Sequence, residues 1–203
     1  MAGLKKANNE PNAWHRALTV GLGTFLLAVF LTFPLQSIAA RSPLYIAFPL
    51  LVLVILVGIL FDIVGVAVAV VDERPLNAMA AKRLPGSRQA LRLRRNADRV
   101  SNFCNDVVGD IAGTLSGALG AAVAVSLILT VGGRGLAETL VNTALLGLVA
   151  AGTVAGKALG KTYAMDHAVD VTLRAGRVVS WFETLLRREF LAGSQRRRKE
   201  PAR

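Results

Sequence analysis

Apolar and polar positions along this chain are segregated into blocks. Four long apolar runs alternate with short polar stretches. The first run, Ala17 to Ala40, holds no charged residue. The second, Leu44 to Val71, holds one, Asp62. The third, Phe103 to Val131, carries Asp106 and Asp110 near its start. The fourth, Leu136 to Ala158, carries Glu138 near its start and Lys157 near its end. A helix needs about 20 apolar residues to cross the hydrocarbon core of a bilayer, and each run supplies them. The pattern predicts an all-α polytopic membrane protein with about four transmembrane helices. Gly132-Gly133-Arg134-Gly135 predicts a tight turn between the last two, since glycine adopts positive φ freely. Those two helices are therefore expected to form an antiparallel hairpin.

The stretches between the runs predict further helices. Pro75 suits the first turn of a helix, and Asp72 and Glu73 favour its positive end. Pro85-Gly86 interrupts the pattern, and a second helical stretch runs from Ser87 towards Asn102. After the fourth run, Val169, Leu173, Trp181, Leu185 and Phe190 recur near helical spacing within Met165 to Leu191. That stretch reads either as an amphipathic helix lying in the membrane interface or as one packed on the protein's own helices. The expected organisation is residues 1–43 as an N-terminal segment with the first span. Residues 44–162 form a core with the basic loop 72–102, and residues 163–203 an amphipathic helix with a basic tail.

Composition agrees. Of the 203 residues, 53% are hydrophobic and 18% charged, more apolar than a soluble domain of this length. The net charge of +11 would suggest nucleic acid in a soluble protein. Here the basic residues sit between apolar runs, which points instead to the anionic lipids of an inner leaflet. A homodimer is allowed. Twenty-two of the 24 Lys and Arg lie on one alternating set of segments and two, Arg41 and Arg134, on the other. The positive-inside rule then places both termini and the 72–102 loop in the cytoplasm, in an inner or plasma membrane. A rival reading makes the first run a cleaved secretory signal ending near Ser37-Ile38-Ala39; the orientation of the rest is unchanged by it.

Polar residues within the runs are the candidate chemistry, because charges inside a span usually face a bundle interior and mark a function. Asp62 comes from the second run. Asn102, Asp106 and Asp110 follow at i, i+4 and i+8 in the third, with Asn105 beside them. Thr153, Lys157 and Lys161 repeat that spacing in the fourth. All lie towards the inner ends, with Asp62, Asp110 and Thr153 about 10 to 14 Å deep at the helical rise. Carboxylates, amides and hydroxyls are hard oxygen donors suited to magnesium or calcium, so Asp62, Asn105, Asp106, Asp110 and Thr153 form the candidate metal set. The competing reading is an ion pair of Asp62 or Asp110 with Lys157, which would bind nothing. His15 and His167 stand alone, and Cys104, the only cysteine, excludes an intrachain disulfide. No nucleophile, base and orienting group converge, so no enzyme activity is expected. Gly109, Gly113, Gly117 and Ala121 in the third run, and Gly152, Gly156 and Gly160 in the fourth, predict close packing of those two helices.

The stretch Phe61 to Lys161 resembles the transmembrane domain of the CNNM/CorB/CorC (cyclin M) magnesium transporter family. Phe61-Asp62-Ile63-Val64-Gly65 resembles the Phe-Ser-x-Ser-Glu-like motif that begins a family helix. Pro75-Leu76 and Met79-Ala80 fit the Arg-Leu and Leu-Ala pattern that follows. Asp98-Arg99 resembles its Glu-Arg, Cys104-Asn105-Asp106 its Gly-Asn-Asn, and Gly152-Thr153-Val154-Ala155-Gly156-Lys157 its Gly-Glu-x-x-Pro-Lys. Thr153 stands where the family has glutamate, Gly156 where it has proline and Asp62 where it has serine. The CBS pair that follows in the family is not among these 203 residues. The resemblance implies a magnesium transporter or exchanger whose bound or carried ion meets Asp62, Asn105 and Thr153. The alternative is a non-transporting scaffold or partner subunit that kept the fold.

Overall fold

The computed structural model describes residues 12–131 and 135–186. Its elements are all helical: α1 (Asn12–Arg41), α2 (Leu44–Val70), α3 (Glu73–Ala81), α4 (Ser87–Arg95), α5 (Ala97–Asn102), α6 (Gly109–Val131), α7 (Leu136–Asp166) and α8 (Ala168–Leu186). A π-helical segment, Phe103–Val108, joins α5 to α6 without a break. Four stretches are long and apolar enough to cross a membrane: Leu18–Ile38, Leu44–Val70, Ala97–Ile128 and Glu138–Asp166. The chain is thus all-α with the architecture of a polytopic membrane protein. The third helical run starts six residues before the sequence pattern placed it, and the fourth continues eight residues beyond. Polar residues at span ends remain helical because the backbone bonds continue regardless of side-chain polarity.

The central element is α2. Its buried residues Ala47, Leu51, Val54, Gly58, Asp62, Gly65 and Val68 recur every three or four positions and form one face along its length. The first half of that face packs with Ala112, Leu115, Leu119 and Val123 of α6. The second half meets α7 and α8 through Ala67, Ala164 and Val171. By contrast, no residue of the apolar stretch of α1 is buried, and Leu18, Leu22, Phe25, Phe30 and Phe33 all face outward. In a bilayer such a surface meets lipid at no cost.

The 72–102 loop breaks at Pro85-Gly86 and begins a second helical stretch at Ser87, as its sequence suggests, but that stretch divides into α4 and α5. Asp72 caps α3, its carboxylate accepting the Arg74 N–H at 3.2 Å. The helix ends before Pro85: Arg83 takes a left-handed φ of 55°, its N–H bonds Ala80 O, and the Leu84 N–H bonds Met79 O. Those two bonds make a Schellman ending with arginine where glycine is usual. The stretch from Ser87 breaks at Asn96, whose Nδ2 donates to Arg92 O at 2.8 Å. Arg94 turns inward, donating to Ala69 O at 2.7 Å and Val68 O at 3.4 Å. It therefore places a cation on the negative end of α2.

The reading of the last helix as packed on the protein's own helices holds for its first half. α8 begins at Ala168, after the sequence-predicted start at Met165. Its first half docks, with Val171, Thr172, Leu173 and Gly176 buried against α4 and α2. Here Gly86, at φ 79°, and Gly176 let the backbones cross: a Cβ on Gly86 would stand 2.6 Å from the Arg177 nitrogen. Glu183 accepts from Gln89 Nε2 at 3.0 Å and from Arg92 at 3.5 Å. Beyond the crossing, Val178, Trp181, Phe182 and Leu185 are exposed. Phe190 and the basic tail lie outside the described residues, as does most of the Gly132–Gly135 turn, of which Gly135 has φ 70°.

The expected glycine interface between α6 and α7 is corrected. Gly113, Gly117 and Gly152 have open space where a Cβ would stand. Gly156 and Gly160 pack against Ile59 and Ile63 of α2, and α6 meets α7 through Gly120, at Val149 and Leu146, and Gly109, at the Lys157 Nζ. The small residues on α7 admit isoleucines of α2 rather than the backbone of α6.

Candidate cation site

Close packing of α2 against the third span is carried by glycines that the spacing argument passed over. A Cβ on Gly58 would lie 2.8 Å from the Ala112 methyl. A Cβ on Gly65 would collide with Asn105 Oδ1 and come within 3.0 Å of the Cys104 Cβ. Between these two glycines, on the same face, stands Asp62.

Asp62 is only 4% exposed, and its Oδ2 is fully buried with no hydrogen-bond partner. The Asn105 amide lies over the Gly65 backbone, one turn from Asp62, and its Oδ1 is also buried without a partner. Two helical segments thus bring two oxygen acceptors into one interface and supply no donor to either. A buried polar atom left unmatched costs about 1–3 kcal/mol, and more when charged. A small hard cation matches both, since each oxygen is the donor type such ions prefer.

The π-helical segment sets which residues face α2. The Gly109 N–H reaches back five residues to the Cys104 carbonyl. Widening the turn in this way shifts the helical phase. Buried Cys104 and half-buried Asn105 face α2, while Asp106 is exposed. The i, i+4, i+8 face drawn through Asn102, Asp106 and Asp110 assumed an unbroken α-helix. All three are exposed instead.

Of the five candidate ligands, Asp62 and Asn105 both lie on the α2 side of the third span, Asn105 against Gly65, and Asp106 and Asp110 are exposed. Thr153, half-buried on α7, bonds through Oγ1 to the Val149 carbonyl of its own helix at 2.7 Å. Lys161 is exposed. Lys157 is half-buried, its Nζ 3.6 Å from where a Gly109 Cβ would stand. Among the described residues neither Asp62 nor Asp110 is ion-paired with Lys157, and no three His, Cys, Asp or Glu side chains are grouped as metal ligands. The signal that sequence reading missed is the Gly58-x₃-Asp62-x₂-Gly65 spacing, which puts small residues one turn to either side of the carboxylate.

Comparison of the chain with protein-family models, with curated proteins and with solved structures finds no match.

Proposed function

We propose that this chain is the membrane unit of a divalent-cation transporter or exchanger, with magnesium as the ion. The observation that carries the reading is the pair of unpartnered buried oxygens, Asp62 Oδ2 and Asn105 Oδ1, inside a bundle of apolar helices. The resemblance of Phe61 to Lys161 to the CNNM/CorB/CorC transmembrane domain supplies magnesium as the ion of first choice. Under this reading both termini and α3–α4 lie in the cytoplasm, at an inner or plasma membrane, following the distribution of Lys and Arg. Exposed Trp181 and Phe182, stacked edge to face at 5.0 Å, sit at headgroup depth beside Arg174 and Arg177 in an anionic leaflet.

Melting of the purified protein in detergent tests the site. Magnesium raises the midpoint, because a ligand that binds only the folded state at a hundred times its Kd adds about 2.7 kcal/mol. Asp62→Asn stays folded and loses the magnesium effect. A parent protein indifferent to magnesium would remove the basis for this reading.

Orientation is tested by reporter fusions: those near Ser87 and after Arg203 report cytoplasm and one at Gly133 the far side. A far-side signal at Ser87 overturns the topology. The scaffold reading draws on a specific observation, the absence of any group of three acidic, His or Cys ligands among the described residues. A cellular magnesium flux assay with and without the protein separates it from transport.

A further inference from the structure

We propose that the π-helical segment Phe103–Val108 is a register switch, which a divalent cation draws towards α5, exchanging Asn105 for Asp106 opposite Asp62. The proposal rests on the cation reading of the Asp62–Asn105 pair and says how that site adapts to its ion.

A π-helical turn holds one residue more than an α-helical turn. When such a turn migrates towards the N-terminus, each residue it passes takes the place of the residue before it, a rotation of about 100°. The helix beyond it does not move. Here α6 is held by Ala112, Leu115 and Leu119 in the core and by the Gly58 contact. The mobile part is the segment itself. Migration past Asp106, Asn105 and Cys104 brings Asp106 to the place of Asn105, over Gly65 and one turn from Asp62. It brings Asn105 to the place of Cys104, and Cys104 to that of Phe103.

Charge decides which register prevails. In the present one Asp62 is the only buried carboxylate among the described residues, and exposed Asp106 lies within a span, where a charge is costly. Bringing both carboxylates together without a cation would set like charges side by side. A divalent cation reverses that balance, since two carboxylates match its charge. The empty site therefore keeps Asn105 inside, and the loaded site takes Asp106.

Cys104 reports the exchange. It is buried in the present register, whereas Phe103, whose place it would take, is 49% exposed. The experiment follows maleimide labelling of Cys104 in the detergent-purified full chain, with and without magnesium, alongside melting. Magnesium is expected to speed labelling about tenfold, the shift that a tenfold preference for one of two states produces. Asp106→Asn removes the acceleration, and Asp110→Asn keeps it. Asn105→Asp supplies a second carboxylate in the present register, so magnesium stabilises that variant without exposing Cys104. A magnesium-dependent rise in melting with unchanged labelling in the parent would overturn the switch and leave the cation site standing. Acceleration that persists in Asp106→Asn overturns it too. If magnesium alters neither melting nor labelling, the cation reading itself fails, and the switch with it.

Discussion

Glycines bring helices together at the α4–α8 crossing and at the α2 seam, with opposite consequences for the carboxylate nearby. At the α4–α8 crossing, Gly86 and Gly176 stand backbone to backbone, and the carboxylate beside them is matched: Glu183 accepts from both Gln89 and Arg92, while the Thr172 Oγ1 one turn from Gly176 is buried without a partner. At the α2 seam, Gly58 and Gly65 admit a methyl and an amide, and two buried oxygens remain without donors. The same packing device leaves a paired carboxylate in the first case and two unpaired oxygens in the second. Chemistry that a fold does not use for its own stability is the chemistry available to a ligand.

The contrast is sharpest under substitution. Gly176→Ala should cause the largest loss of stability. Its Cβ would stand 2.6 Å from the Ala90 nitrogen and against the Gly86 carbonyl, and backbone atoms cannot step aside. Overpacking of this kind costs about 3 kcal/mol, read from unfolding in detergent. Gly65→Ala should cost less, about 1–2 kcal/mol, because the Asn105 amide can swing away. That movement should also abolish the magnesium effect on melting. Equal losses for the two variants would mean that the seam is as rigid as the crossing, and the comparison would fail. Glu183→Ala should have the smallest effect, about 1 kcal/mol, the worth of hydrogen bonds between partly buried groups. A loss several times larger would show that the joint depends on its polar contacts rather than on its glycines.

The spans were legible in the sequence because a bilayer demands long uninterrupted apolar runs, and few other structures need them. The short helices of the 72–102 loop were legible through Asp72 and Pro75, whose effects are local. The ending of α3 was not: Arg83 closes it in a left-handed conformation before Pro85 is reached. At the site, Asp62 was legible because a charge in a span stands out. Its neighbours were not. The face through Asn102, Asp106 and Asp110 was counted at 3.6 residues per turn, and the π-helical segment changes the count within that face. No residue between Phe103 and Val108 marks that change, since it depends on how α5 and α6 are held by α2. The glycines of α6 and α7 misled for a related reason. Spacing says that a face is smooth, and only packing says what lies against it.

Arg94 gives α2 its ending from 24 positions further along the chain, through the carbonyls of Val68 and Ala69. The consequence is one of order in time. While the protein is being made, the end of α2 leaves the ribosome with Arg94 still inside the exit tunnel, so its last carbonyls have only water or headgroups to bind. The helix can slide and settle to its depth during this interval. Folding of α4 then brings the guanidinium onto those carbonyls and fixes the position that α2 has found. Insertion and anchoring of the central helix thus become separate events, with the second awaiting emergence of the loop that follows.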